Sequence, residues 1–379
     1  MREEDAERTV THIEGDDHPH PHLAVVVEKP RSETAIASLR TEGVYDDSRR
    51  VREYDPKTVA LPVTEPPAET RVLEVIRQID PDRRSPGLEG RLADRGWTEA
   101  DLESVPGSWA VIGSVILVTV PDEYSDEQAR DVGEALLDHH GEATSVLADE
   151  GIANDGEAGT YREPRTRLLA GSTDTETIHT EHGTRYGLDP AKVMFSPGNQ
   201  AERARMGELV RPDERVFDMF AGIGYFTLPM ARAGGRVTAT EINPTAFRYL
   251  LENAMLNDVA DRVDAYRSDC RDLAATVDAD RVVMGYYGAA DGTDDAGHGT
   301  RSDEADDFLS HALEALVPGG VLHYHEATPE SLLWERPLER LESAVEREDG
   351  GRKLEVLEKR RVKSHSAGVE HVVVDARVE

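Results

Sequence analysis

The chain contains a single cysteine, Cys270, in 379 residues. That excludes an internal disulfide framework and any multi-cysteine zinc site, and it suits a reducing compartment. Lysine is nearly as scarce: there are six, among 43 basic residues set against 76 acidic ones, for a formal charge of −33. Such acidity can mark a disordered chain. Here apolar periodicity persists along most of the sequence, and the acidic residues are dispersed rather than blocked. An acidic, lysine-poor surface fits a halophile's salt-rich cytoplasm, where repulsion is screened within about 3 Å at 1 M. Global charge then says little about partners. A long apolar run is also missing: the longest, AVIGSVILVTV at 110–120, falls well short of the roughly 20 residues of a membrane span. The amino terminus, MREEDAERTVTHIEGDD, lacks the apolar centre of a signal peptide. The expectation is a cytoplasmic protein without a membrane partner.

What is present divides the chain into a tail and three units, within the two or three domains that its length allows. Residues 1–22 are polar and broken by proline through HPHPH, and read as a disordered tail; His18, His20 and His22 share no helical face there, and no metal site is expected. A small α+β unit spans 23–63, with TVALPV (58–63) as a strand, and TEPPAE (64–69) reads as a linker. A second α+β domain spans 64–176, with strands in WAVIGSVILVTV, an amphipathic helix over 125–140 and a loop at NDGEAGTYREP (154–164). From 177 to 379 the segments RVFDMF, RVTATEI, VDAYRSD, DRVVMGY and GVLHYHE alternate with helix-length stretches. That pattern predicts βαβ crossovers and a parallel sheet. Upstream, KVMF (192–195) reads as a further strand and SPGNQAERARM as a turn into a helix.

The segment VFDMFAGIGYFTLPMAR (216–232) carries the strongest chemical signal. A strand ends at Asp218, a turn containing Phe220, Gly222 and Gly224 follows, and a helix opens near Phe226. The glycines permit close approach to a ligand, and amides at a helix start can meet a negative group. A short G-x-G is weak evidence by itself. However, the next strand ends at Glu241, some twenty residues on, where a carboxylate can accept from both ribose hydroxyls, and the third ends in SDCRDL. There Asp269 can accept from an adenine amino group while the Cys270 amide addresses the ring; the alternative is that both acids merely cap helices. Thr227 stands at the third glycine of the NAD pattern, which disfavours that nucleotide. The layout is that of an α/β, Rossmann-like class I S-adenosylmethionine-dependent methyltransferase domain behind smaller amino-terminal α+β units.

TIHTEHGTRYGLDPAKVMFSPGNQAERARM (177–206), taken with DMFAGIGYF, EINP and GVLHYHEATPE, resembles the archaeal tRNA wybutosine-synthesising protein 2 family. The resemblance implies transfer of the 3-amino-3-carboxypropyl group of S-adenosylmethionine to carbon 7 of 4-demethylwyosine at position 37 of phenylalanine tRNA, with methylthioadenosine released. It implies further that Ser196 hydrogen-bonds the cofactor and that Arg203 offers its fork to a carboxylate such as that of the methionine moiety; the alternative for Arg203 is a surface helix arginine. The related tRNA guanosine-37 N1-methyltransferases carry an Asn-x-Pro-like motif after the fourth strand and an arginine in an F-S-x-R turn. Here Gly285 and Tyr286 replace the first, and Gly198 and Asn199 the second, so the groups suited to a guanine N1 proton are missing. Methylation of that nitrogen remains the alternative activity, and non-catalytic RNA binding the alternative of another class.

A proton must leave carbon 7 after attack. His323, His325 and Glu326, in HYHE at a strand end, are the candidates, against a structural role for strand histidines and proton loss to solvent; His179 and His182 are weaker candidates. The arginine clusters SRRVR (48–52), YREPRTR (161–167), AERAR (201–205) and EKRRVKSH (358–365) are candidate tRNA contacts, against ordinary ion-paired arginines. Tyr225, Tyr286 and Tyr287 are candidates for stacking on an extruded base, or for core packing.

Overall fold

Strands rich in valine and leucine without alternation need cover on both faces. In the computed structural model, which describes residues 22–78, 81, 87–286, 305–348 and 351–379, seven strands form one sheet, with such buried runs at its centre and more exposed strands at its two edges. They are β1 (Arg215–Asp218), β2 (Arg236–Thr240), β3 (Val263–Tyr266), β4 (Ala279–Met284), β5 (Leu316–Pro329), β6 (Leu354–Ser366) and β7 (Val369–Val378), in the order β3-β2-β1-β4-β5-β7-β6. Neighbours from β3 to β5 are parallel, and β7 runs antiparallel between β5 and β6. Helix α1 (Gln200–Leu209) precedes β1; α2 (Thr227–Arg232), α3 (Pro244–Leu256), α4 (Cys270–Ala274) and α5 (Leu309–Ala315) follow β1 to β4, and α6 (Glu335–Arg347) follows β5. Val216 and Val283 pack with Leu228 and Leu250 on one face, while Phe217 and Val282 pack with Leu313 and Leu341 on the other. Each such buried side chain contributes about 1.5–3 kcal/mol. Strand order reverses between β1 and β4, which opens a crevice at their carboxyl ends where ligands bind.

The chain divides into two compact units, Met1–Arg91 and Leu92–Glu379. The first holds a four-stranded antiparallel sheet, ordered Arg52–Asp55, Thr58–Val63, Leu23–Glu28 and Glu74–Arg77, covered by helix Ser32–Thr41. The expected boundary after Val63 is therefore displaced. The TEPPAE stretch leads back into the first sheet, because the Glu42 carboxylate collects the amides of Ala68, Glu69 and Thr70. The expected tail lies outside the described residues except for His22.

In the second unit, strands Ala110–Ile112, Val115–Val118, Ser145–Ile152 and Pro164–Gly171 form a smaller sheet. Its helix Asp126–His139 starts on a capping box of Ser125 and Gln128 and buries Ala129, Val132 and Leu136. Two local expectations are corrected. Residues 154–164 contain a short helix, Gly156–Thr160, rather than loop alone. Residues 192–195 are not a strand: the Asp189 carbonyl accepts from the amides of Lys192 and Val193 in a turn, and Val193 and Phe195 are buried by the helical core. No helix among the described residues is long and apolar enough to cross a membrane.

Candidate active site

The glycine turn after β1 is tied from below. Asp218 is fully buried and accepts from Thr227 Oγ1 at 2.6 Å and from the Phe220 amide at 3.4 Å. Burial pushes its carboxyl up to about 6 against those bonds. The Ala221 amide donates to the Thr240 carbonyl at 3.0 Å, joining the turn to β2. Gly222 and Gly224 have φ of +56° and +103°; a Cβ would meet the Tyr225 ring at 2.2 Å in the first and Leu228 at 2.7 Å in the second. Backbone handedness and packing behind the turn thus require glycine at both positions. Tyr225 is engaged in this packing.

Glu241 follows β2 directly. One of its oxygens accepts from the Gly222 amide at 2.8 Å and the other from the Asn243 amide at 2.7 Å, so the acid links the first two loops. Burial pushes it up to about 7, opposed by those amides. A carboxylate so placed keeps lone pairs for hydroxyl donors. Asp269, after β3, caps α4 and grips Arg271, accepting from its amide and Nε at 2.9 Å and from Nη2 at 2.5 Å. Burial raises this carboxyl, but Arg271 outweighs burial and holds it below the usual range. Asp269 thus caps its helix and holds Arg271, and an adenine amino group would share the acid with them. The Cys270 thiol is buried, and burial together with Asp269 raises its pKa strongly, so only its amide is of use at the loop. Phe220 stacks on Tyr286 with ring centroids 5.1 Å apart, and Arg162 of the smaller sheet lies 5.4 Å over Tyr286. Tyr287 lies outside the described residues.

Arg203 does not present a free fork. Its Nε and Nη2 both donate to Glu181 at 2.7 Å and Nη1 donates to the Ser196 carbonyl at 3.0 Å, with Arg203 and Glu181 both buried. A buried arginine needs such full pairing, so Arg203 shapes the Ser196 turn rather than receiving a ligand carboxylate. Ser196 Oγ accepts from Lys363 Nζ at 2.6 Å. His179 is likewise structural, accepting from the Gly113 amide and facing Glu181. The arginine clusters are corrected in part. Arg49 is buried on the Leu23 and Val63 carbonyls, Arg205 pairs with Asp375, Arg360 pairs with Glu202 and Asp375, and Arg167 pairs with Glu150. Arg50, Arg165 and Arg361 remain exposed.

The three candidates for a base on β5 are all buried. His323 sits between Asp375, at 2.6 Å from Nδ1, and Arg281. Glu326 accepts from Tyr324 at 2.6 Å, Thr328 at 2.8 Å and Arg336 at 2.7 Å. His325 contacts His371 at 3.0 Å and is pushed down to about 3, first by burial and then by Arg360. None of them is suited to take a proton from a bound base: two are locked in ion networks, and the third holds a proton too weakly. Because His323 bridges Arg281 and Asp375, which keep Glu214 and the pair Arg205 and Arg360 as their other partners, His323→Ala is expected to cost about 1–3 kcal/mol. Denaturant unfolding at high salt reads this directly; an equally stable, inactive variant would overturn the structural assignment.

A glycine turn and two acids at three successive strand ends, on a sheet ordered β3-β2-β1-β4-β5-β7-β6, define a class I S-adenosylmethionine-dependent transferase. A TRM5/TYW2 methyltransferase domain model matches residues 177–356, and a TYW2 N-terminal domain model matches residues 90–175. The tRNA(Phe) (4-demethylwyosine(37)-C(7)) aminocarboxypropyltransferase of Pyrococcus horikoshii is 36% identical over 300 residues, covering 78% of this chain and 99% of that protein. Among solved structures, Trm5b from Pyrococcus abyssi superposes with a TM-score of 0.68 at 30% identity, covering 94% of this chain and 99% of its own. P. horikoshii TYW2 in complex with MeSAdo gives 0.61 at 34%, covering 76% and 96%. The chain belongs to the TRM5/TYW2 family.

Sequence reasoning gave no site role to Asn243 or Arg271, placed Asp218 only as a strand end, and read Lys363 only within a candidate tRNA-contact cluster. Asn243-Pro244 was legible as a helix start, and the Asn243 side chain indeed accepts from the Thr245 and Ala246 amides. The pairing of Lys363 with Ser196 had no local signal, since it spans 167 residues of sequence.

Proposed function

We infer that this protein transfers the 3-amino-3-carboxypropyl group of S-adenosylmethionine to carbon 7 of 4-demethylwyosine at position 37 of tRNA, with phenylalanine tRNA as the substrate, in a salt-rich cytoplasm. The observation that carries the choice of group is at Gly285. A Cβ there would lie 2.7 Å from Phe226 Cε2, so the Phe226 ring fills the space that a side chain after β4 would need. An acceptor-holding carboxamide therefore has no room. The acceptor attacks through carbon, which requires placement and no prior loss of an N1 proton; the carbon–sulfur bond breaks to leave methylthioadenosine, and the carbon-7 proton then passes to solvent.

The bound donor supplies three carbons on one positive sulfur, any of which can be displaced. Selection among them is a matter of which bond is held in line with the nucleophile at about 3–3.5 Å. In this reading the Glu241 carboxylate accepts from the ribose hydroxyls, Asp269 and the Cys270 amide address the adenine, and Gly222, Gly224 and Phe220 border the donor. Arg203 fixes the Ser196 turn. The stacked Phe220 and Tyr286 rings, with Arg162 above, form an aromatic and cationic rim suited to an extruded base. Exposed Arg50, Arg165 and Arg361 are left for the tRNA backbone. The relative solved with MeSAdo fits this reading, because that thioether is what remains once the aminocarboxypropyl group has left.

The test is the small-molecule product. Turnover with tRNA bearing the tricyclic base is expected to release methylthioadenosine, with label from the aminocarboxypropyl carbons ending on RNA. Release of S-adenosylhomocysteine with unmodified-guanosine tRNA, and no methylthioadenosine with the tricyclic substrate, would establish the N1-methyltransferase instead.

A further inference from the structure

The donor's amino-acid arm carries a carboxylate and an ammonium, and the arginine expected to meet the carboxylate is committed to Glu181. Resting on the functional reading above, we propose that Lys363 and the Ser196 hydroxyl bind the α-carboxylate of this arm, with the Asn199 carboxamide oxygen of the same turn facing its ammonium.

Lys363 comes from β6 and donates from Nζ to Ser196 Oγ at 2.6 Å. With the hydroxyl oxygen accepting, the Ser196 O–H is left to donate elsewhere. Lysine and serine together thus form a donor set matched to a carboxylate. The lysine stem crosses the turn at Gly198, where an added Cβ would lie 3.1 Å from Lys363 Cδ. Glycine at 198 therefore makes room for a cation delivered from the sheet. Asn199 Oδ1 is buried and has no hydrogen-bond partner among the described residues. A buried acceptor without a donor is costly, and an ammonium supplies one.

The turn also lies where the arm must go. Phe195, beside Ser196, packs 5.9 Å from Tyr225, and the Tyr225 ring backs Gly222 of the donor turn. Across the strand pair, Lys363 sits opposite His371, which contacts His325 beside Phe226. That places the proposed carboxylate site on the same side as Gly285. An arm drawn toward Lys363 is then held near the β4 loop.

Calorimetry with three ligands separates the possibilities: S-adenosylmethionine, its decarboxylated analogue, and methylthioadenosine, which lacks the arm. Lys363→Met is expected to weaken S-adenosylmethionine by roughly ten- to hundredfold, the scale of a lost charge-assisted hydrogen bond. The same variant should leave the other two ligands within about twofold, because neither carries the carboxylate. Lys363→Arg should recover part of the preference for the carboxylated ligand. Equal weakening of all three ligands would make Lys363 a support of the pocket, and unchanged S-adenosylmethionine affinity would place the carboxylate elsewhere; either result overturns the proposal. Failure of the wild-type protein to bind any of the three would overturn the functional reading itself.

Discussion

Gly285→Asn is expected to lower turnover about a hundredfold, the scale of a roughly 1 Å misplacement at a reacting centre, while S-adenosylmethionine binds with nearly unchanged affinity. The new Cβ would stand 2.7 Å from Phe226, whose ring lies 5.3 Å from His325 on β5. Phe226 must shift, and with it the start of α2 and the rim formed by Tyr286. Overpacking of this kind costs about 1–3 kcal/mol of stability, so the folded fraction must be measured beside kcat. Gly285→Ala should fall between wild type and asparagine, since it adds the clashing atom without the carboxamide. Asparagine at wild-type rate would show that the loop has room to spare, and would remove the steric argument for the transferred group.

Glu241→Gln should weaken donor binding by about a hundredfold, since two hydrogen bonds to a charged acceptor become bonds to a neutral one. Its pH dependence is the sharper signature. Burial raises this carboxyl from an ordinary 4.5 to about 7 in the free protein. Hydroxyl donors on a ribose favour the charged form, so wild-type affinity should rise as pH rises through about 7 and then level off. The free protein should respond in the opposite sense: a group whose pKa is raised on folding contributes stability that is fully present below about 4.5 and lost as pH rises through about 7. Asp218, itself held up near 6 by burial, adds to that same loss. In the glutamine variant the affinity profile should be flat across this range. A wild-type profile that is also flat between pH 6 and 8 would mean that Glu241 does not meet the donor.

Most of the parallel part of the sheet was legible because its central strands are short apolar runs ended by a polar or glycine-rich turn. RVFDMFAGIG, TATEINP and SDCRDL each announce a strand end with a chemical group on it. KVMF was misread because a turn whose side chains are buried in the core shows the same short apolar run as a strand. The first unit's fourth strand, Glu74–Arg77, was missed because it is a mostly exposed edge strand with little apolar pattern. Arg203 and His323 were site candidates whose surroundings the sequence did not show. Their residue types suit a site, and only their partners, Glu181 for the first and Asp375 with Arg281 for the second, reveal that they are spent on structure.

The sequence by itself determined the α/β class, the order of the three strand ends that carry the glycine turn and the two acids, and the lack of a carboxamide at Gly285, because these depend on local periodicity and on which residue stands at one position. Tertiary structure alone decided what each charge is placed against. Arg203 and Lys363 are both cations in sequence, yet one is buried against a carboxylate and the other is brought by β6 onto a serine hydroxyl. The free energy of a charge depends on its neighbours and its exposure to water, and those are set by contacts between residues far apart in the chain.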